Sequence, residues 1–451
     1  MNVDTRVRRL QALVAVTIAI LLGATWPLWS APRDFPAVPL LAFAIAAPRW
    51  MDGGALAAMC CGLVLVLASV FAVERRAAAS RTSNDVDALW PQLSRAGWIL
   101  FLVAALGLIV LNQQRCQPWL WQAVLLAILF STQDARNALR GARLIVLSIY
   151  AFSAAGKLDA SFLQSHGPAL VDGLLHNVNR SLPAHGTVRT VAAALLPLGE
   201  MLAAAALAFP RSRRIGLWLS AGMHLALMAA LGPGGLNHKP GVLIWNAFFL
   251  AQNALLFSAA ADIPLESGEA RSGNAGSISA KPPETITALP KCGKQAAMAS
   301  VMALAAVLPF AEWYDRLDPW LGWSLYASRP PRLQFFVDEQ SVARLPDGLR
   351  PFVEPPAPLE RWRRVRIDRW SLAATSAPIS PQIRFQLGVV LSIADRATLH
   401  DDLRVVVESS ADRRTGRRSV REIIGANALR EFAATFHFNV RPRPSPHQGD
   451  G

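Results

Sequence analysis

Gly54-Ala-Leu-Ala-Ala-Met-Cys-Cys-Gly-Leu-Val-Leu-Val-Leu-Ala-Ser-Val-Phe-Ala-Val73 runs for twenty residues without a charge. As a helix it would reach about 30 Å, the thickness of a bilayer's hydrocarbon core. Similar runs recur near 10–29, 96–112, 119–132, 142–156, 188–209, 215–232, 241–261 and 295–311. The sequence therefore predicts an all-α polytopic membrane bundle of about nine transmembrane helices. The run at 38–47, bounded by Pro36, Pro39 and Pro48, is too short to cross and reads as a half-helix or interfacial segment. Composition agrees: 53% of the 451 residues are hydrophobic and 17% charged, against about 25% charged in ordinary soluble domains, which excludes a disordered or purely soluble chain.

Charge placement suggests an orientation. With Arg6, Arg8 and Arg9 in the cytoplasm and nine crossings, the segments 74–95, 133–143 and 211–214 fall on the same side, so every Arg-rich turn lies inside. The expected setting is a bacterial plasma membrane, with the N-terminus cytoplasmic and the loop 157–187 and everything after 311 periplasmic. Trp26-Pro27-Leu28-Trp29 is a poor cleavage site, so the first helix is expected to be retained. Residues 311–451 hold 21 Arg and 17 acids, an intermixed surface that argues against nucleic acid as a partner. The four cysteines have no disulfide or zinc spacing.

Residues 1–261 are thus expected to form the bundle, 262–293 a disordered cytoplasmic linker rich in Gly, Ser and Pro, and 294–311 the last transmembrane helix. Beyond it the pattern changes. Short runs at 333–337, 363–370 and 403–408 predict strands, and 382–394 and 426–436 predict helices. Together they make a small soluble α+β domain over 312–440, followed by a Pro-rich disordered tail at 441–451.

The stretch with most chemistry is Tyr150-Ala-Phe-Ser-Ala-Ala-Gly156-Lys157-Leu158-Asp159-Ala-Ser-Phe162, at the end of a span. With Gly199-Glu200, the basic turn Pro210-Arg-Ser-Arg-Arg214 and Met223-His224, it resembles the HTTM family, the transmembrane domain shared with vitamin K-dependent gamma-carboxylase, and more distantly the DoxX and methylamine-utilisation membrane proteins. The resemblance covers about 142–260. It implies that Lys157 is a base acting on a hydroquinone and His224 the family's helix histidine. Phe162 and Ser165 stand where the family has Trp and Gly, and no counterpart of the carboxylase's propeptide- or glutamate-binding regions is recognisable.

From physics alone, Lys157 is either a helix-end cation snorkelling to the headgroups or a desolvated amine fit to take a proton or hold an anion. The chain has 40 Arg and five Lys, so a generic cation would more often have been Arg. Glu200 sits in mid-span, where a carboxylate needs a partner. It lies nine residues before position 209 and His224 nine after 215, which places both about 13 Å deep across a short turn. The expectation is a buried Glu200–His224 pair, either a structural hydrogen bond or a proton-handling couple, with Tyr150 and Asp159 as ligand contacts beside Lys157. His166, His176, His185, Asp159 and Asp172 match no metal motif, and no metal is expected. Trp residues at span ends read as interfacial belts. No P-loop, dinucleotide fingerprint, nucleophile elbow or HExxH is present. The leading function is a membrane protein binding a quinone or prenyl lipid in its bundle, with proton transfer at the outer face. The alternative is a non-catalytic assembly or scaffold protein presenting its C-terminal domain to a periplasmic partner. A transporter, lacking any internal repeat, ranks third.

Overall fold

The structure, a computed structural model, describes residues 2–30, 34–78, 84–183, 186–258, 290–356 and 358–444. Within them, eight helices are long and apolar enough to cross a membrane, and a ninth, Pro118–Thr132, is apolar but shorter. The protein is a multi-pass integral membrane protein built on a helical bundle. In chain order its helices are α1 (Val3–Ala24), the single turn α2 (Trp26–Trp29), α3 (Trp50–Ala78), α4 (Asn84–Leu111), α5 (Pro118–Thr132), α6 (Ala135–Ala155), α7 (Ala160–Gln164), α8 (His166–His176), α9 (Thr187–Ala208), α10 (Arg213–Leu231) and α11 (Pro240–Phe257). Next comes α12 (Lys291–Met302), prolonged by a π turn at Ala303–Val307 and a 3-10 turn at Leu308–Tyr314. Pro309, which has no N–H to give to the preceding turn, lies in the last of these. The altered turns leave the Ala305 carbonyl free to accept from the Ser148 hydroxyl and from Trp323 Nε1.

Packing explains the shorter helix. Leu120, Leu125, Leu126 and Leu129 of α5 are all fully buried, so this helix is walled by protein rather than lipid. Helices α3 and α4 meet through two glycines: a Cβ on Gly62 would lie 2.6 Å from the Gly97 carbonyl oxygen, and one on Gly97 2.7 Å from that of Gly62. Such small-residue contacts let helix backbones close where no hydrophobic effect drives them together.

The C-terminal region carries one antiparallel sheet in the order β2-β1-β3-β4, from β1 (Arg332–Asp338), β2 (Trp362–Val365), β3 (Leu403–Glu408) and β4 (Val420–Ile424). Phe335 faces Val405 across β1 and β3, and Val405 faces Ile423 across β3 and β4. These side chains form a core with α13 (Ile367–Thr375), α14 (Ile383–Arg396) and α15 (Ala426–Ala433). Two expectations are corrected here. The strand expected over 363–370 stops at Val365 and turns into α13, because Ile367, Trp370, Ser371 and Thr375 recur at helical spacing and are buried. Strand β4 was not foreseen, since Val420-Arg-Glu-Ile-Ile424 has little alternation and a mostly exposed edge.

The segment before α3 has an unexpected role. Residues 42–46 form a 3-10 turn, but Phe35 and Val38 enter the core of the C-terminal region, where Phe35 packs on Trp370 with ring centres 4.8 Å apart. Backbone bonds join Leu40 to Val110 and Asn439 to Leu40, so the segment is held between bundle and sheet region. The expected linker at 262–293 lies outside the described residues except for 290–293, as does the expected tail beyond 444.

Candidate functional site

The candidate site is built on α6, α9, α10 and α11. Asp134 caps α6, accepting from the Asn137 amide at 3.0 Å, and the helix ends at Gly156. Lys157, in the turn that follows, is buried rather than extended to the headgroups. Its ammonium donates to Ser153 Oγ, one helical turn back, at 2.8 Å and to Glu200 Oε2 at 2.6 Å. The lysine thus cross-links α6 to α9, and it supplies the partner that a mid-span carboxylate requires.

His224 is held differently. Its Nδ1 lies 2.8 Å from Asn246 Oδ1, its Nε2 lies 2.6 Å from the Tyr150 hydroxyl, and its ring stacks on Phe249 at 4.9 Å with an interplanar angle of 9°. The network fixes the tautomer. Asn246 Nδ2 donates to the Val242 carbonyl at 2.8 Å, so the atom facing the imidazole is an oxygen and can only accept. Nδ1 therefore carries the proton, and Nε2 accepts from the Tyr150 O–H. Asn253 Nδ2 donates in turn to the Tyr150 oxygen at 2.6 Å and to Ser220 Oγ at 3.3 Å. The imidazole is neutral in this arrangement, with a phenol proton poised on it.

The expected Glu200–His224 pair is not formed. Depth read from the spacing does not fix which way each side chain faces, and the partners are Lys157 for Glu200 and Tyr150 and Asn246 for His224. The two clusters still lie within electrostatic reach, Glu200 of Tyr150 and Lys157 of His224. Asp159, expected beside Lys157, instead caps α7: one carboxylate oxygen accepts from the Phe162 amide at 2.8 Å and from Ser161 Oγ at 2.7 Å. Its other oxygen is buried and has no hydrogen-bond partner among the described residues. Of the loop groups, Asp172 pairs with Arg189 and His166 Nδ1 lies 2.5 Å from Ser328 Oγ. His185 lies outside the described residues, and among those described no three His, Cys, Asp or Glu gather around one point. Burial, followed by the charge of Arg332, holds the His166 imidazole below its ordinary pKa of 6.5.

The residues that sequence reasoning passed over are the amides. Asn246 and Asn253 stand seven residues apart on one face of α11, whose mean composition is strongly apolar, and that spacing was the available signal. Asn253 also lines a cavity of about 460 Å³ walled by Leu217, Trp218, Leu250 and Phe257 and rimmed by the Arg211–Arg214 turn. Its Oδ1 is buried and has no donor among the described residues.

Residues 135–239, about a quarter of the chain, match the family described as methylamine utilisation protein MauE. The match takes in Tyr150, Lys157, Asp159, Glu200 and His224 and stops before α11. No curated protein and no solved structure is significantly similar to the chain.

Proposed function

We propose that this MauE-like membrane protein takes a lipid-soluble quinone or related prenyl compound into its bundle, with Tyr150 and His224 as the proton-handling couple. The observation that carries the reading is Asn253, which lines an apolar cavity, donates to the Tyr150 oxygen and holds a buried acceptor oxygen that has no donor among the described residues. Apolar walls suit a prenyl chain, and an unsatisfied amide oxygen beside them suits a hydroxyl. A bound quinone would supply two-electron chemistry coupled to proton uptake.

The chain's own groups supply the rest. Tyr150 passes its proton to Nε2 as it takes another up, so that the phenol stays neutral, and the resulting imidazolium keeps Asn246 Oδ1 as its acceptor at Nδ1. Asn253 Nδ2 holds the phenol oxygen in place for this relay. Lys157, whose ammonium is engaged by Glu200 and Ser153, acts in this reading as a positioning residue rather than the base implied by the carboxylase resemblance. The Arg-rich turns support a cytoplasmic N-terminus and a periplasmic C-terminal region, and phosphatase fused to the C-terminus should then be active.

The test is mass spectrometry of an organic extract of protein purified in mild detergent. A prenyl quinone at near one per chain, lost in a folded Asn253→Leu variant, supports the reading. Wild-type protein carrying phospholipid but no quinone contradicts it.

One observation favours the assembly reading as a second. The C-terminal region is bound to the bundle through buried polar contacts: Asp52 joins Arg115 at 2.5 Å and Arg443 at 2.6 Å, and Gln114 donates to Ser371 Oγ and the Pro378 carbonyl. A region so firmly seated suits a module that displays its sheet to a periplasmic protein.

A further inference from the structure

The C-terminal region carries a cleft of about 450 Å³, which His166 of α8 also lines, and its wall includes Ser324, which stands against Gly156 in the turn carrying Lys157. Trp320 and Tyr326 line it, and so do Arg332 of β1 and Arg364 and Arg366 of β2. The charge in it is unbalanced. Arg366 is taken up by Asp368 and Glu354, at 2.7 and 2.9 Å, and Asp368 is the one acid lining the cleft. Arg332 has a single 3.3 Å bond to the Ser328 carbonyl, although Glu408 is its cross-strand neighbour, because Glu408 faces Arg418 and Gln334. Half-buried Arg364 makes no side-chain hydrogen bond or ion pair among the described residues. Two guanidinium groups that no acid pairs with among the described residues therefore line one concave space, where forked donors suit a carboxylate or phosphate.

The backbone gives an independent indication. Trp323 and Tyr326 both adopt left-handed φ angles, 59° and 57°. Bulky side chains avoid this region, and such conformations concentrate where a ligand or a switch requires them. Here the turn sets Tyr326 against the cleft.

We infer that this cleft binds a small organic acid, with its carboxylate or phosphate held by Arg332 and Arg364 and its apolar body against Trp320 and Tyr326. The site does not depend on the quinone reading: it uses none of Tyr150, His224 or Asn253.

Isothermal titration of the full-length protein in mild detergent tests it, with phenyl phosphate, benzoate, inorganic phosphate and benzyl alcohol as probes. At least one aromatic acid should bind one per chain and at least tenfold more tightly than inorganic phosphate, and which acid wins separates phosphate from carboxylate recognition. The Arg332→Gln/Arg364→Gln variant should lose tenfold or more in affinity while unfolding at the wild-type temperature, since neither arginine anchors the fold. Tyr326→Asn, with a residue that tolerates left-handed backbone, should weaken acid binding. Absence of saturable binding by either aromatic acid would overturn the site. So would benzyl alcohol or inorganic phosphate binding as tightly as the acids, or unchanged affinity in the double variant. A quinone-free extract combined with acid binding would reject the proposed function and leave this site standing.

Discussion

Two of the places where the protein buries charge hold it differently. Inside the bundle one ammonium meets one carboxylate: Lys157 and Glu200, 43 residues apart, join adjacent helices. At the seam one carboxylate serves two guanidinium groups: Asp52 holds Arg115, 63 residues on, and Arg443, 391 residues on. Arg115 fills its remaining donors with the Leu28 and Trp29 carbonyls, each at 3.3 Å, and Arg443 donates to the Ala47 carbonyl at 2.5 Å. The first site is a balanced pair within one packing unit. The second is a hub that joins the chain's beginning to its end, and its single acid has no substitute nearby.

That contrast predicts a ranking of effects. The largest should follow Asp52→Ala, which strands two buried cations and should cost about 3–5 kcal/mol or more, as breaking a buried pair does. Thermal unfolding in detergent should show the loss, and limited proteolysis should show the C-terminal region coming away first. An unchanged proteolysis pattern would deny the hub its role.

Next comes Glu200→Leu, which leaves Lys157 buried alone and should cost about 3 kcal/mol, whereas Lys157→Met combined with Glu200→Leu should return to within about 1 kcal/mol of wild type. If the double variant is as unstable as the single one, the pair is not the self-contained unit described. Tyr150→Phe should have a smaller effect, about 1–3 kcal/mol, because it leaves His224 Nε2 and an Asn253 N–H unmatched without stranding a charge.

The smallest effect is a pH dependence. His166 binds fewer protons folded than unfolded, so its contribution is fully present above pH 6.5 and is lost as pH falls through the depressed folded value. His238, whose pKa partial desolvation also lowers, acts with the same sign. The unfolding temperature should therefore fall between pH 7 and 5, and His166→Asn should flatten the slope. A rise on acidification would reverse the assignment.

The same comparison shows what was legible in the sequence. The bundle was, because long uncharged runs have few other physical solutions. Lys157, Glu200 and His224 drew notice because ionisable groups are costly amid apolar residues. Their pairing was not legible, since a 1.5 Å rise per residue gives depth but not facing, and for Lys157 the sequence left both an outward, snorkelling and an inward, desolvated position open. Asn246 and Asn253, uncharged, raised no comparable signal. The seam escaped altogether: Asp52, Arg115 and Arg443 sit at helix ends and in a Pro-rich tail, where charges are ordinary. The sheet was half legible, with β1 and β3 found from their β-branched and aromatic runs, and β2 overextended into α13 because its arginines hid the change of period at Arg366.

The central claim is that the Tyr150–His224–Asn253 chain receives a quinone, and equilibrium binding of a short-chain benzoquinone to the purified protein tests it most directly. The account predicts saturable binding of one per chain, weakened at least tenfold by Tyr150→Phe and by Asn253→Leu under conditions where both variants stay folded, and unaffected by Arg332→Gln/Arg364→Gln. Absence of saturable binding, or equal affinity in wild type and both chain variants, would contradict it.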